Sequence, residues 1–92
     1  MVYLICYDIV EDYRRTRVAR LLEAYGLRVQ KSVFEAVLNP NQYQKLKGQL
    51  QGLIDGDCDQ LRFYPLSDHC RAKVAILGMQ PNFAVDDEVL IV

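Results

Sequence analysis

Tyr3-Leu4-Ile5-Cys6-Tyr7-Asp8-Ile9 is the stretch of this 92-residue chain that decides the fold, because it predicts a strand that is apolar on both faces. We place the strand from about Val2 to Ile9. Such a strand belongs inside a sheet, where an unpaired carboxylate is costly. Asp8 is therefore expected where the strand leaves the sheet. Its charge would stay in water or bind a cation there, and a simple turn after the strand explains it equally well.

Two helices are predicted from their caps and from apolar residues at helical spacing. The first runs from about Tyr13 to Ala24, with Asp12 as its N-cap and Gly26 as its stop. The second begins at Asn39-Pro40, an N-cap followed by proline at the first helical position, and extends to about Leu53. The expected buried stripes are Val18, Leu21, Leu22 and Tyr25 in the first helix, and Tyr43, Leu46, Leu50 and Leu53 in the second.

The other segments predict strands. Leu27 to Leu38 is expected to form the second strand, and its apolar phase slips by one residue near Lys31-Ser32, which indicates a bulge or bend. Gln60 to Leu66 and Lys73 to Leu77 predict two further strands, and Glu88 to Val92 predicts a strand-like tail. The elements predict an α+β protein with the ferredoxin-like βαββαβ fold, an antiparallel sheet with two helices on one face.

The whole chain, residues 1–92, is expected to form a single domain, with residues 78–92 as a C-terminal extension. A domain of this size has a limited core, so pairing with a second copy would help it. The four apolar residues at the C-terminus have no partner in a four-stranded core and would invite aggregation in water. Pairing with a sheet edge, its own or that of a second copy, solves this, and we expect the tail to pair across a homodimer.

The composition is ordinary for a soluble globular protein, with 51% hydrophobic and 25% charged residues. No apolar run approaches the roughly 20 residues of a membrane span. The opening stretch also lacks the flanks of a secretory signal. The three cysteines are odd in number and form no zinc pattern, so reduced thiols in a cytoplasmic protein explain them best.

The basic residues are unevenly distributed, although the net charge is −1. Six of the eleven lie between positions 14 and 31, where Glu23 is the only acid. They are Arg14, Arg15, Arg17, Arg20, Arg28 and Lys31. Local potential decides where a phosphate backbone binds, so this region predicts nucleic-acid binding. A solvated helix face is the alternative, but few acids are placed for ion pairing along the helix, which favours a functional role.

Four motifs together carry a family resemblance. They are Tyr7-Asp8-Ile9, Arg15-x-Arg17-Val18, Gly26-Leu27-Arg28-Val29-Gln30-x-Ser32-Val33-Phe34-Glu35 and Leu61-Arg62-Phe63-Tyr64-Pro65-Leu66. Over nearly the whole chain this combination resembles CRISPR-associated protein two, the small partner of the CRISPR integrase in spacer acquisition. The resemblance implies a ferredoxin-like homodimer that works with the integrase subunit. It also implies a metal-dependent endonuclease that acts on RNA or duplex DNA.

The resemblance further implies roles for individual residues. Asp8 matches the family's metal-binding carboxylate, for which Mg²⁺ is the expected ion, and Tyr7 stands beside it in the implied catalytic site. The resemblance and the basic region together predict nucleic-acid binding by Arg14, Arg15, Arg17, Arg28, Ser32 and Phe34. In a two-fold dimer, the two copies of Asp8 would share one ion.

Three functions remain open on the sequence. The first is a metal-dependent nuclease that hydrolyses phosphodiesters. The second is a non-catalytic adaptor whose arginines hold duplex DNA for the integrase. The third, a dimeric module for a small metabolite, lacks a glycine-rich phosphate loop or any cofactor signature and ranks last. A VapD-type toxin ribonuclease, which shares the fold, is a further alternative to the first.

Deleting the residues from Glu88 onward tests the predicted tail. Because Val89 to Val92 have no partner within a four-stranded core, the shortened chain should sediment as a monomer or as a less stable, aggregation-prone dimer. An unchanged dimer of equal stability would show that the tail is not an interface element.

Overall fold

The computed structural model describes residues 1–79 of the chain, and the four strands in them form one antiparallel sheet. The strand order is β2-β3-β1-β4. The elements are β1 (Val2–Asp8), α1 (Asp12–Glu23), β2 (Leu27–Gln30), β3 (Val33–Val37), α2 (Pro40–Leu53), β4 (Gln60–Leu66) and the short α3 (Asp68–Arg71). The predicted ferredoxin-like βαββαβ fold is confirmed.

Strand β1 lies in the interior of the sheet, as its apolar sequence predicts. It pairs antiparallel with β3 on one side and with β4 on the other, so that Ile5 lies between Phe34 and Phe63. Side chains alternate along a strand, so the odd-numbered residues of β1 pack against α1 and α2. The even-numbered residues Leu4, Cys6 and Asp8 project from the opposite side of the sheet, called the far face below.

A single apolar core lies between the sheet and the two long helices. The rings of Tyr3 and Tyr43 stack with centroids 4.6 Å apart, and both meet Phe63 edge to face. This cluster fixes α2 over the β1–β4 side of the sheet. The predicted helix stripes are confirmed, with Val18, Leu22, Leu46 and Leu50 fully buried and Leu21, Tyr25, Tyr43 and Leu53 partly buried.

The predicted second strand, Leu27 to Leu38, is in fact a hairpin of two strands. The slip in apolar phase at Lys31-Ser32 marks the turn between β2 and β3, where the chain reverses, and is not a bulge within one strand. A true irregularity lies nearby, between Arg28 and Gln30, where the pairing shifts register. The Tyr7 backbone N–H donates to the Ser32 carbonyl oxygen at 3.1 Å, so the turn is fixed to the end of β1.

The two helix starts differ in how well their caps were predicted. Helix α1 begins at Asp12, and Glu11 is its N-cap, with a carboxylate that accepts from the backbone N–H groups of Tyr13 and Arg14. The prediction of Asp12 as the cap is therefore wrong by one residue. Asn39 caps α2 as predicted, in a reciprocal arrangement with Gln42 at distances of 2.8 and 2.9 Å.

The strand predicted at Lys73 to Leu77 is wrong. Within residues 1–79, the last of the four strands ends at Leu66, because the β2–β3 hairpin supplies two strands. Ser67 then caps α3, accepting from the Cys70 N–H at 3.2 Å, and residues 74–77 have no regular structure. The Glu88 to Val92 tail and its pairing across a dimer lie outside the described residues. Within residues 1–79, no helix is both long enough and apolar enough to cross a membrane.

The substitution Gly26→Ala should destabilise this fold, because the backbone at Gly26 passes very close to β3 just before β2 begins. A Cβ at position 26 would lie 2.2 Å from the Glu35 carbonyl oxygen and 2.8 Å from the Ala36 Cβ. The backbone would have to move, and we expect a loss of about 1–3 kcal/mol in the free energy of unfolding.

Gly48 is the matched control, since it lies within α2 and a Cβ there meets nothing within 4 Å. Gly48→Ala should stabilise the protein by about 0.5–1 kcal/mol through its higher helix propensity. Urea unfolding measures both variants. Equal effects at the two glycines would contradict the close approach at Gly26.

Candidate functional site

Asp8 is the last residue of β1, and its exposed side chain projects from the far face. This confirms the predicted position at the end of the strand. Its pairing partner in β4 is Gln60. A cleft of about 230 Å³ opens here, called the Asp8 cleft. It is lined by Cys6, Tyr7, Asp8, Gln60, Arg62 and Tyr64.

The oxygen donors in the Asp8 cleft are suited to a hard cation but are few. Asp8 contributes a carboxylate and Gln60 an amide oxygen. Within residues 1–79 there is no group of three or more histidine, cysteine, aspartate and glutamate side chains that would hold a metal. Mg²⁺ keeps several waters and binds through one or two carboxylates together with substrate phosphates. The donors therefore fit Mg²⁺ when a phosphate or a second carboxylate completes the set.

Tyr7 lies on the opposite side of β1 from Asp8, because neighbouring side chains in a strand alternate. Its ring is buried, and the centroids of the Tyr7 and Phe34 rings are 6.3 Å apart. The Tyr7 hydroxyl donates to the Lys31 carbonyl oxygen at 3.3 Å. Burial raises the pKa of the phenol above its usual value, although Arg28 and Arg15 act in the other direction. The neutral phenol thus anchors the β2–β3 turn, and its catalytic role stays a prediction.

Arg15 binds the segment that follows Asp8. One guanidinium nitrogen donates to the carbonyl oxygens of Ile9 and Val10, at 3.1 and 3.0 Å, and the other pairs with Asp12. These bonds fix the chain where it leaves β1. The side chain is 40% exposed and keeps part of its charge accessible to solvent.

A second cleft, of about 310 Å³, opens between α1 and the β2–β3 turn, and we call it the basic cleft. From the described residues, four cations, one acid and three hydroxyl groups line it. These are Arg15, Arg20, Arg28, Lys31, Glu23, Tyr7, Thr16 and Ser32, together with Ala19. The structure thus brings together three of the predicted nucleic-acid-binding residues, Arg15, Arg28 and Ser32. The excess of positive charge suits an anion.

Arg28 lies over Phe34 at one side of the basic cleft. Its guanidinium carbon is 5.2 Å from the Phe34 ring centroid, and one nitrogen is 3.7 Å from a Glu23 carboxylate oxygen. Phe34 itself is fully buried. Its ring therefore supports Arg28 from below, and the predicted contact between Phe34 and nucleic acid is not open in a single chain.

The remaining two predicted arginines, Arg14 and Arg17, lie outside both clefts. Arg14 holds α1 against the turn before β4, since its guanidinium donates to both oxygens of Asp59, at 2.8 and 3.3 Å. The Asp59 side chain is only 1% exposed. Arg17 is exposed and lies over the Tyr13 ring, 5.6 Å from its centroid, beside a groove between α1 and α2.

Sequence reasoning missed Gln60 and Arg62 as neighbours of Asp8. The available signal was the alternation in β4, where these polar residues are interleaved with the apolar Leu61 and Phe63. The alternation in the sequence indicates that Gln60 and Arg62 lie on one face of β4. Only the pairing register of the structure shows that this is the face on which Asp8 lies. Arg20 and Lys31 were assigned to the basic region but not to a common cleft with Ser32.

Comparison with known proteins gives one consistent family. Residues 1–74 match the family described as CRISPR associated protein Cas2. The chain is 46% identical over 80 residues to the CRISPR-associated endoribonuclease Cas2 3 of Synechocystis sp., with 87% of each chain covered.

Solved structures agree with this match. The crystal structure of Streptococcus pyogenes Cas2 at pH 6.5 is similar with a TM-score of 0.76 and 36% identity, covering 85% of this chain and 100% of that chain. A chain in a partial Cas6-RT-Cas1–Cas2 complex is similar with a TM-score of 0.73 and 32% identity, covering 83% of this chain and 89% of that chain.

Asp59 should stabilise the fold at neutral pH and lose that contribution in acid. The hydrogen bond from Arg14, together with that from the Asp55 N–H, holds the pKa of Asp59 below its usual 3.8. Its contribution is complete above about pH 4 and disappears as the pH falls through the lowered pKa. Asp59→Asn should therefore lower the urea midpoint at pH 7, and the difference from wild type should shrink towards pH 2.

Asp57→Asn serves as the control, because Asp57 lies in the same turn and is exposed. It should change the midpoint little at either pH. Equal midpoints for wild type and Asp59→Asn at pH 7 would contradict a stabilising role for the Arg14–Asp59 pair.

Proposed function

This chain belongs to the CRISPR-associated Cas2 family, and from that premise we propose that it is a metal-dependent endonuclease that hydrolyses phosphodiesters of RNA, with duplex DNA as the alternative substrate. The observation that carries the proposal is the Asp8 cleft, where an exposed carboxylate, an amide and an arginine meet at the end of β1. The name of the Synechocystis relative, an endoribonuclease, supports RNA as the first substrate.

Hydrolysis joins a water oxygen to phosphorus and breaks the bond from phosphorus to a bridging oxygen. The bridging oxygen leaves as an alcohol and takes up the proton that the water releases. An active site for this reaction must therefore remove the proton from water and neutralise charge on the phosphate. Asp8 and Gln60 would hold Mg²⁺, which when bound supplies positive charge against the phosphate and lowers the pKa of water.

The basic cleft lies on the other side of β1 from the Asp8 cleft, and in this proposal it would hold a neighbouring phosphate of the same nucleic-acid strand. Arg28 and Lys31 contact phosphates in this proposal, and the Ser32 hydroxyl donates to a phosphate oxygen. Arg15 has a double role, because it also fixes Ile9 and Val10 immediately after Asp8. The backbone that follows Asp8 is therefore held in place before substrate binds, which favours catalysis.

A homodimer would complete the metal site. Among residues 1–79, one chain offers a single carboxylate in the Asp8 cleft, and an isologous contact places equivalent residues near the symmetry axis. The far face next to the cleft is partly apolar, with Leu4, Cys6, Val29 and Val33 lining a hollow. Ile76, Leu77 and Met79 of the same chain also line it. A second copy packed against this face would bury those side chains and bring a second Asp8 towards the first.

A second candidate function is that of an adaptor that holds DNA for the CRISPR integrase. The specific observation in its favour is the similar chain in a complex that contains Cas1. The exposed cations of α1, Arg17 and Arg20, would serve duplex DNA without any contribution from Asp8. We therefore propose the integrase subunit as a partner under either function.

Asp8→Asn should abolish Mg²⁺-dependent cleavage and leave nucleic-acid binding almost unchanged. The amide keeps the shape of the side chain and removes the charge that holds the ion. The loss in cleavage rate should exceed the roughly 10–100-fold cost of losing an outer-shell partner of a metal site. Cleavage of end-labelled single-stranded RNA and duplex DNA, beside affinity by fluorescence anisotropy, measures both effects at matched MgCl₂.

Asp57→Asn is the control, since it removes an equal charge from a turn outside both clefts. It should cut at the wild-type rate. A wild-type rate for Asp8→Asn would show that Asp8 is only a turn residue. Salt-sensitive DNA binding by a wild-type protein that cuts neither substrate would favour the adaptor.

A further inference from the structure

We propose that Arg62, oriented by Tyr64, is a phosphate-binding residue of the Asp8 cleft and positions the phosphodiester that is cut. The inference rests on the proposed nuclease function and adds to it a residue that the basic cleft does not contain. The ligand is a single phosphate group of a nucleic-acid strand.

The pairing register places Arg62 beside Asp8. In the antiparallel pair of β1 and β4, Asp8 is opposite Gln60 and Cys6 is opposite Arg62. Asp8 and Arg62 are therefore diagonal neighbours on the far face, a relation in which long side chains reach each other's surroundings. Both line the same cleft of about 230 Å³. Tyr64 follows Arg62 in β4 on the side away from Asp8, so a phosphate bound in this cleft would lie between the Asp8 carboxylate and the Arg62 guanidinium.

Tyr64 fixes the direction of that guanidinium. One terminal nitrogen of Arg62 donates to the Tyr64 hydroxyl oxygen at 3.0 Å. A guanidinium carries five N–H donors, so this bond leaves donors for a phosphate. The bond to a neutral hydroxyl also leaves the positive charge of Arg62 unneutralised. The hydrogen bond raises the pKa of Arg62, which keeps it charged at any physiological pH.

Three other arginines are already committed to carboxylates. Arg14 pairs with Asp59, Arg15 with Asp12 and Arg28 with Glu23. In the part of the chain that the structure describes, Arg62 takes part in no such ion pair, and it is the one arginine that lines the Asp8 cleft. Arginine binds phosphate through two parallel N–H bonds, which would hold the group in one orientation.

Four variants of the full-length protein test the inference, with a single-stranded RNA oligonucleotide as the probe. Arg62→Ala removes the cation, and Tyr64→Phe removes only the hydroxyl. Arg62→Lys keeps the positive charge but removes the planar guanidinium with its parallel N–H donors. Lys45→Ala is the control, because it removes one exposed cation from α2, on the other side of the sheet. Circular dichroism first confirms that each variant is folded.

Binding is measured in the Asp8→Asn background, where the probe should stay intact. Arg62→Ala should reduce the log–log dependence of affinity on salt by about 0.7, the value for one phosphate contact on a single strand. In protein that retains Asp8, Arg62→Ala should lower kcat/KM by about a hundredfold, as the loss of one positioned donor does. Arg62→Lys should recover part of this loss, and Tyr64→Phe should lower kcat/KM by about fivefold.

The inference is overturned if Arg62→Ala matches Lys45→Ala in both salt dependence and kcat/KM. If Arg62→Ala does not fold, wild-type kinetics for both Arg62→Lys and Tyr64→Phe overturn it equally. Failure of the nuclease proposal looks different. Asp8→Asn would then cut at the wild-type rate, while the reduced salt dependence of Arg62→Ala would still support the phosphate contact.

Discussion

The two-sided pairing of β1 is the constraint on which the rest of the structure depends. Because β3 and β4 bond to its two edges, β1 cannot turn about its axis, and each of its side chains is committed to one face. Ile5 and Tyr7 are thereby placed in the core, and Asp8 on the far face. The two clefts lie on opposite sides of this one strand, and Tyr7 borders both.

Some arginines hold the fold, and others line the two clefts. Arg14 ties α1 to the turn before β4, and Arg15 fixes the chain just after Asp8. Arg28 lies on the buried ring of Phe34, and this contact holds the Arg28 cation in a fixed position. A positive region in the sequence is therefore not one binding surface. Part of it maintains the geometry around the carboxylate, and replacing those residues would affect stability and binding together.

The sequence was sufficient for β1, for both long helices and for the fold class, because strong periodicity and caps such as Asn39-Pro40 mark them. Prediction from the sequence failed where two different local structures give the same pattern of apolar residues. The phase slip at Lys31-Ser32 fits a bulge and a hairpin turn equally, and only the partner strands decide between them. Asp8 was found because its position in an apolar strand is unusual. Arg62 was missed because its relation to Asp8 depends on pairing between residues more than fifty positions apart.

That separation also governs the order of folding. The β2–β3 hairpin joins neighbours in sequence and closes quickly, whereas β1 must find β3 across about thirty residues and β4 across about sixty. During synthesis β1 is the first of the four strands to be made, yet one of its edges lacks its β4 partner until Gln60 to Leu66 have left the ribosome. Until then the backbone N–H and C=O groups along that edge lack their partners in β4. Of the four strands, the one that bears Asp8 is made first, and its pairing is complete only when the last strand, β4, is in place.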